Sequence, residues 1–251
     1  MTTALSGRSA IVTGASSGIG AATARALAEA GMRLTLAARR EDRLNALALE
    51  LGGAGAEVAV ARTDMRAEPE ILRLFETARR RFGGVDVLVN NAGLGLAAPI
   101  TGGATESWRN MLEVNVLALC VASREAIGDM ERRGAGGHLV HVSSMAGHRV
   151  PGADSAVYSA TKFAVRALTE GMRRELRARR SPIRVSAVSP GYVDTEFADV
   201  FAGSPEAARG RTPAIKVLEA TDVAAAVLWV LQQPAHVQVH DVLLRPTDQR
   251  N

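Results

Sequence analysis

The sequence predicts an α/β protein: a doubly wound, seven-stranded parallel sheet with helices on both faces. Three observations lead there. Apolar runs of strand length alternate with helical-period segments along nearly the whole chain. The intervening segments are long enough for right-handed crossovers, which parallel pairing requires. The strand candidates are apolar almost throughout ("AIVT", "VDVLV", "HLVHVS"), as strands covered on both faces must be.

Taken in order, strands are expected at Ser9–Thr13, Arg33–Ala37, Glu57–Ala61, Val85–Asn90, Gly137–Ser143, Ile183–Val188 and Gln238–Leu244. Helices are expected over 18–30, 41–51, 68–82, 106–133, 156–179 and 220–232. Asp42 sits where its carboxylate would complement the N-terminus of the second helix. Periodicity is weakest at 194–215, "DTEFADVFAGSPEAARGRTPAI", with two prolines and two glycines. A long insertion after a strand's C-terminal end is where a lid over a ligand crevice would sit. No internal repeat or low-complexity segment divides the chain, so residues 1–251 are expected to form one domain.

Composition narrows the function classes. The 47% hydrophobic and 22% charged residues are ordinary for a globular protein. One cysteine, Cys120, excludes an internal disulfide and a multi-cysteine metal site, and its apolar surroundings predict a core position. His138, His141, His236 and His240 form no HExxH or similar ligand set, so no catalytic metal is expected. The N-terminus carries no charged leader before a long apolar run, and no uncharged apolar stretch reaches 18 residues. A cytoplasmic protein with no membrane partner is therefore expected. The sequence pI of 9.9 raises nucleic acid as a ligand. Yet net charge is only +4, and the arginines are interspersed with acids, as in "RREDRL" and "MRRELRARR". Solvated helix faces read this way, and no nucleic-acid partner is expected.

"VTGASSGIG" follows the first strand and opens the first helix. Gly14, Gly18 and Gly20 permit a tight turn and close backbone approach, Ser16 and Ser17 add hydroxyls, and the helix N-terminus beyond attracts a pyrophosphate. Such a turn in a βαβ chain completes the pattern of a Rossmann fold. Where an NAD site wants an acid, at the end of the second strand, stands Ala38, followed by Arg39 and Arg40. A guanidinium in place of a carboxylate favours the 2′-phosphate of NADP(H).

"YSATK" sets Tyr158 four residues before Lys162, one of only two lysines in the chain, the other being Lys216. At i and i+4 the two side chains share a helix face. A free tyrosine titrates near pH 10, too high for neutral acid–base work, so a neighbouring ammonium and a positive nicotinamide are expected to lower it by about 3 units.

The ordered motifs "TGASSGIG" (13–20), "NNAG" (90–93), Asn115 in "EVNVLAL", "VSS" (142–144), "YSATK" (158–162) and "PGYVDT" (190–195) resemble those of the short-chain dehydrogenase/reductase family. The resemblance spans about Gly7 to Thr247, and within the family it is closest to branches reducing carbonyl groups with NADPH. "SSMAGHRV" and "RPTDQ" resemble a subgroup of ketone, steroid and hydroxy-acid dehydrogenases. The resemblance implies a catalytic set of Asn115, Ser144, Tyr158 and Lys162. Ser144 would polarise the substrate carbonyl, with Ser143 the competing candidate. Lys162 would also hold the nicotinamide ribose, and Asn115, mid-helix despite its poor propensity there, would support a water-linked proton relay. Ser144 lies 14 residues before Tyr158, one more than the commonest family spacing, so the loop between them holds an extra residue.

Cofactor contacts implied by the resemblance are Gly14, Ser16, Ser17, Gly18, Ile19 and Gly20 at the first turn; Arg39 and Arg40 after the second strand; and Asp64 and Met65 near adenine. Asn90, Asn91, Ala92 and Gly93 would lie beside the adenosine ribose, and Pro190, Gly191, Val193 and Thr195 at the nicotinamide, beside Tyr158 and Lys162. Leu94, Leu96, Met145, Val150, Tyr192 and Phe197 are the expected pocket residues, apolar enough for a hydrophobic ketone. His148 and Arg149 keep a carboxylate-bearing substrate, and so a hydroxy-acid dehydrogenase, in view; a polyol dehydrogenase of the same family is a further alternative. A dinucleotide-sensing protein without chemistry is the alternative from another class. Family members are usually dimers or tetramers, so a homo-oligomer, a tetramer before a dimer, is expected.

Overall fold

Along β1 (Ser9–Thr13), Ala10 and Val12 face one apolar cluster and Ile11 faces another. β4 (Val87–Asn90) does the same, with Val87 and Val89 on the first side and Leu88 on the second. This period-2 division between two cores is what a sheet covered on both faces requires. The computed structural model describes residues 5–209 and 214–250. With β2 (Arg33–Ala38), β3 (Val58–Arg62), β5 (His138–Val142), β6 (Arg184–Pro190) and β7 (Asp241–Leu244), the strands form one parallel sheet in the order β3-β2-β1-β4-β5-β6-β7. It is the expected doubly wound Rossmann fold.

The first face is covered by α1 (Gly18–Glu29), α2 (Glu41–Gly53) and, later in the chain, α9 (Ala220–Gln232), through Leu27, Leu44, Leu47, Leu51 and Val227. On the other lie α3 (Glu68–Phe82), α5 (Ala118–Arg132) and α6 (Ala156–Ala178), burying Ile71, Leu74, Phe75, Ala122 and Leu176. Their starts have local causes. Glu41 and Asp42 occupy the first turn of α2, and Glu219 and Asp222 form a reciprocal capping box on α9.

Two expectations change. Residues 106–133 are not one helix but α4 (Thr105–Leu112) and α5, joined through a π-helical turn at Glu113–Leu117. The wider turn inserts a residue into the helical register at Asn115, an arrangement common at functional sites. Cys120 is half-buried rather than in the core, and that burial pushes its thiol up. The 194–215 segment, where periodicity is weakest, contains two short helices, α7 (Phe197–Ala202) and α8 (Pro205–Arg209), while 210–213 lie outside the described residues. A parallel bridge between Val193 and Leu218 ties its two ends together.

Candidate active site

β1 and β4 are neighbours in the sheet, yet their chains leave toward opposite sides. The crevice at their C-terminal ends is the topological switch point, where open α/β sheets bind ligands. The glycine turn fills one lip of it. Gly14 and Gly18 take positive φ values of 67° and 51°. A Cβ at Gly20 would lie 2.2 Å from the Gly14 carbonyl oxygen, so only glycine lets α1 begin this close to β1.

The other lip braces the first. Thr13 Oγ1 accepts the backbone N–H groups of Asn91 and Ala92 at 3.0 Å each. Asn91 Nδ2 donates to the Thr13 carbonyl at 2.9 Å. Asn90 differs from expectation: its side chain turns into the core and donates to Ser123 Oγ at 3.1 Å, leaving the crevice to Asn91, Ala92 and Gly93. The tight turn, free backbone and helix N-terminus fit the pyrophosphate of a dinucleotide.

At the adenosine end, Ala38 supplies no carboxylate. Arg39 is exposed and has no side-chain hydrogen bond or ion pair among the described residues. Arg40 reaches back to the turn, donating to Ser16 Oγ at 3.1 Å and Ser17 Oγ at 2.6 Å. It also pairs with Glu196 at 2.7 Å, and Arg43 pairs with the same carboxylate at 2.5 Å. Glu196 and Arg43 went unnoticed in the sequence, because nothing local links residues 153 positions apart. Asp64 is held by Arg66 at 2.6 Å, whose guanidinium keeps its carboxyl below the usual range. The Met65 side chain is buried in the second core.

At the other end of the crevice the four candidate catalytic residues come together. Tyr158 and Lys162 project from the first two turns of α6, both buried, with the ammonium 5.9 Å from the phenol ring centroid. Lys162 Nζ donates to the Val142 carbonyl at 3.0 Å. Ser144 begins the 3₁₀ turn Met145–Gly147, and its Oγ accepts from Ala146 N–H at 3.0 Å, close enough to the Tyr158 hydroxyl to lower that group's pKa. The extra loop residue does not separate them. Ser143, the competing candidate, is buried and donates to the Lys162 carbonyl at 3.4 Å.

Asn115 lies behind them. Its Oδ1 accepts the Leu94 N–H at 2.7 Å, and its Nδ2 donates to the Leu94 carbonyl at 2.7 Å and to Thr161 Oγ1 at 2.9 Å. A Cβ on Gly93 would lie 3.5 Å from Lys162 Nζ and 3.7 Å from Asn115 Oδ1. Gly93 therefore joins the strand-four turn to the Asn115–Lys162 pair.

Burial pushes Tyr158 up to about 12, against the lowering effect of the Ser144 hydrogen bond. Burial also lowers Lys162 to about 8. The expected lowering, which included a positive nicotinamide, is not supplied by the protein's own groups: desolvation of the phenolate outweighs the lowering by Ser144.

Phe197 and Phe201 of α7 cover Tyr158, with ring centroids at 5.4 and 6.0 Å. Leu94, Leu96, Trp108, Val157 and Ala146 pack in the same cluster. Leu94, Leu96 and Phe197 were expected there. Met145 is buried outside that cluster, Val150 and Tyr192 are exposed, and Ala146, Trp108 and Phe201 take their places. A tryptophan three residues into α4 carried no sequence signal, since the turn that folds α4 over Tyr158 is tertiary. His148 sits 3.1 Å from Asp241 of β7. Thr195 Cγ2 lies 3.0 Å from where a Gly18 Cβ would be, so the 190–195 segment closes against the glycine turn. Gln249 Oε1 accepts the Tyr192 N–H at 3.1 Å and pins the same segment from the C-terminal side. Among the described residues no group of three metal-ligating side chains occurs, and no helix is long and apolar enough to cross a membrane.

The chain is similar to known proteins. The family model for short chain dehydrogenases matches residues 8–203. Dehydrogenase/reductase SDR family member 11 of Bos taurus is 46% identical over 247 residues, covering 96% of this chain and 97% of that protein. Farnesol dehydrogenase of Aedes aegypti is 40% identical over 247 residues, covering 97% and 98%. The closed form of a serine dehydrogenase complexed with NADP+ superposes with a TM-score of 0.89 at 31% identity, covering 97% of this chain and 96% of that one. The protein is thus a member of the short-chain dehydrogenase/reductase family of oxidoreductases.

Proposed function

We propose that this protein is an NADP(H)-dependent oxidoreductase that interconverts an apolar ketone or aldehyde and the corresponding alcohol. The observation that carries the reading is the Ser144–Tyr158 hydroxyl pair, closed under aromatic side chains and backed by Lys162. When bound, the dinucleotide supplies or accepts the hydride. Ser144 donates a hydrogen bond to the substrate oxygen and holds it beside Tyr158. As the carbonyl gains electrons its oxygen becomes far more basic than a phenolate, so Tyr158 donates its proton even with a pKa of about 12. Lys162 stabilises the tyrosinate left behind, and Asn115 keeps the Leu94 turn in register beside it. The apolar cluster excludes water and favours a hydrophobic substrate. The name of the farnesol dehydrogenase relative agrees with that substrate class.

Arg39, exposed and without a side-chain hydrogen bond or ion pair among the described residues, follows Ala38 and suits the 2′-phosphate of NADP(H) through charge-assisted hydrogen bonds. The serine dehydrogenase neighbour supports a second reading, a 3-hydroxy acid as substrate, with Arg149 available for its carboxylate.

A cofactor-depletion assay tests the proposal. NADPH should be consumed with an aryl ketone faster than with a hexose, and the reverse reaction with a 3-hydroxy acid should be slower still. Tyr158→Phe should lose at least ~10²-fold in turnover with little change in NADPH binding. Reduction should be level through neutral pH, while alcohol oxidation should rise toward alkaline pH as Tyr158 is deprotonated more readily. A Tyr158→Phe variant with near-normal turnover removes the mechanism, and a best rate with the hydroxy acid replaces the substrate class.

A further inference from the structure

Glu196 connects the two ends of the crevice. Its carboxylate lies 2.7 Å from Arg40 and 2.5 Å from Arg43, while Arg40 also holds Ser16 and Ser17 of the glycine turn. The residue that follows, Phe197, packs its ring against Tyr158 from the start of α7. A cavity of about 200 Å³ between α1 and α2 is lined by Ser16 and Arg43, among others. The carboxylate thus occupies a cluster of two guanidinium groups and two hydroxyls next to Ala38, a donor set that suits a phosphate equally well. Both arginines hold Glu196 down to about 2, so it carries full charge at neutral pH.

We propose that Glu196 is a specificity-determining residue whose carboxylate competes with the adenosine 2′-phosphate of the cofactor for Arg40 and Arg43. The inference rests on the NADP(H) reading above. Two anions cannot share one guanidinium pair without repulsion, so the phosphate displaces Glu196. A dinucleotide without that phosphate leaves Glu196 in place. The cost of displacement falls on NADPH alone, and the Glu196 tether to α7 then differs between the two cofactors. Because all three side chains are about half exposed, the competition is worth a small factor.

Fluorescence titration of NADPH and NADH against the wild-type protein, Glu196→Gln and Glu196→Ala tests this. Removing the competing charge should tighten NADPH about two- to fivefold and leave NADH within twofold, so the affinity ratio rises in both variants. Raising ionic strength should shrink the difference. If the wild type already binds both cofactors alike, the 2′-phosphate reading fails and this inference with it. If the wild type prefers NADPH but the ratio stays level or falls in both variants, the cofactor reading stands and the competition is overturned. Equal loss of both cofactors in the variants would make Glu196 a positioning residue for the glycine turn, also against the proposal. Circular dichroism shows that each variant is folded before it is titrated.

Discussion

Asn115 and Leu94 are paired through both groups of a side-chain amide: Oδ1 accepts the Leu94 N–H and Nδ2 donates to its carbonyl, each at 2.7 Å. The amide mimics a strand neighbour and holds the turn after β4 against α6, where Thr161 completes the set. Only an amide can both accept and donate in this way.

Asn115→Ala leaves both Leu94 groups without their partner, a cost of about 1–3 kcal/mol. Asn115→Asp keeps the acceptor but turns an oxygen toward the Leu94 carbonyl, so it should rescue neither stability nor turnover. Thermal melts and kcat on an aryl ketone read both. Wild-type turnover in Asn115→Asp would reduce the pairing to an incidental contact.

Gly95 is where the aromatic cover meets the strand-four turn. A Cβ there would lie 2.4 Å from Phe197 Cζ and 2.9 Å from Phe201 Cδ2. Gly95→Ala should therefore push α7 off Tyr158. We expect KM for an apolar ketone to rise several-fold, the NADPH dissociation constant to change little, and stability to fall by less than about 2 kcal/mol, since α7 lies outside both main cores. An unchanged KM would mean that α7 does not cover the substrate.

Two buried histidines set the acid limit. Burial lowers both His138 and His141 to about 3, and each is held neutral by hydroxyls: Ser186 for His138, Thr169 for His141. The unfolded chain binds these protons near pH 6.5 while the folded protein does not, so the unfolded state holds more protons in between. Stability should be complete above about pH 6.5 and fall as pH drops toward 3, by up to about 1.4 kcal/mol per pH unit for each histidine. Urea unfolding at several pH values measures the slope. His141→Gln should flatten it, and an unaltered slope in that variant would assign the acid limit to carboxylates.

The sequence by itself determined the sheet and the candidate tetrad. Strand character follows from the period of apolar residues, and the parallel topology follows from crossover length, both local properties. The tyrosine and lysine of "YSATK" needed only helix geometry to meet, and the glycine turn needed only its position after β1. Bends that depend on distant contacts were decided by tertiary structure. The π-helical turn at Asn115 exists to reach Leu94, and the choice of Ser144 over Ser143 depends on how the 3₁₀ turn meets α6. Asn90 turned inward because Ser123 offers it a buried partner. The raised Tyr158 pKa, Phe201 over the phenol ring with Trp108 in the same cluster, and Glu196 across Arg40 and Arg43 share one cause. Burial, ring packing and charge pairing are set by which surfaces the folded chain brings within a few ångströms, and residues far apart in sequence carry no mark of that until it folds.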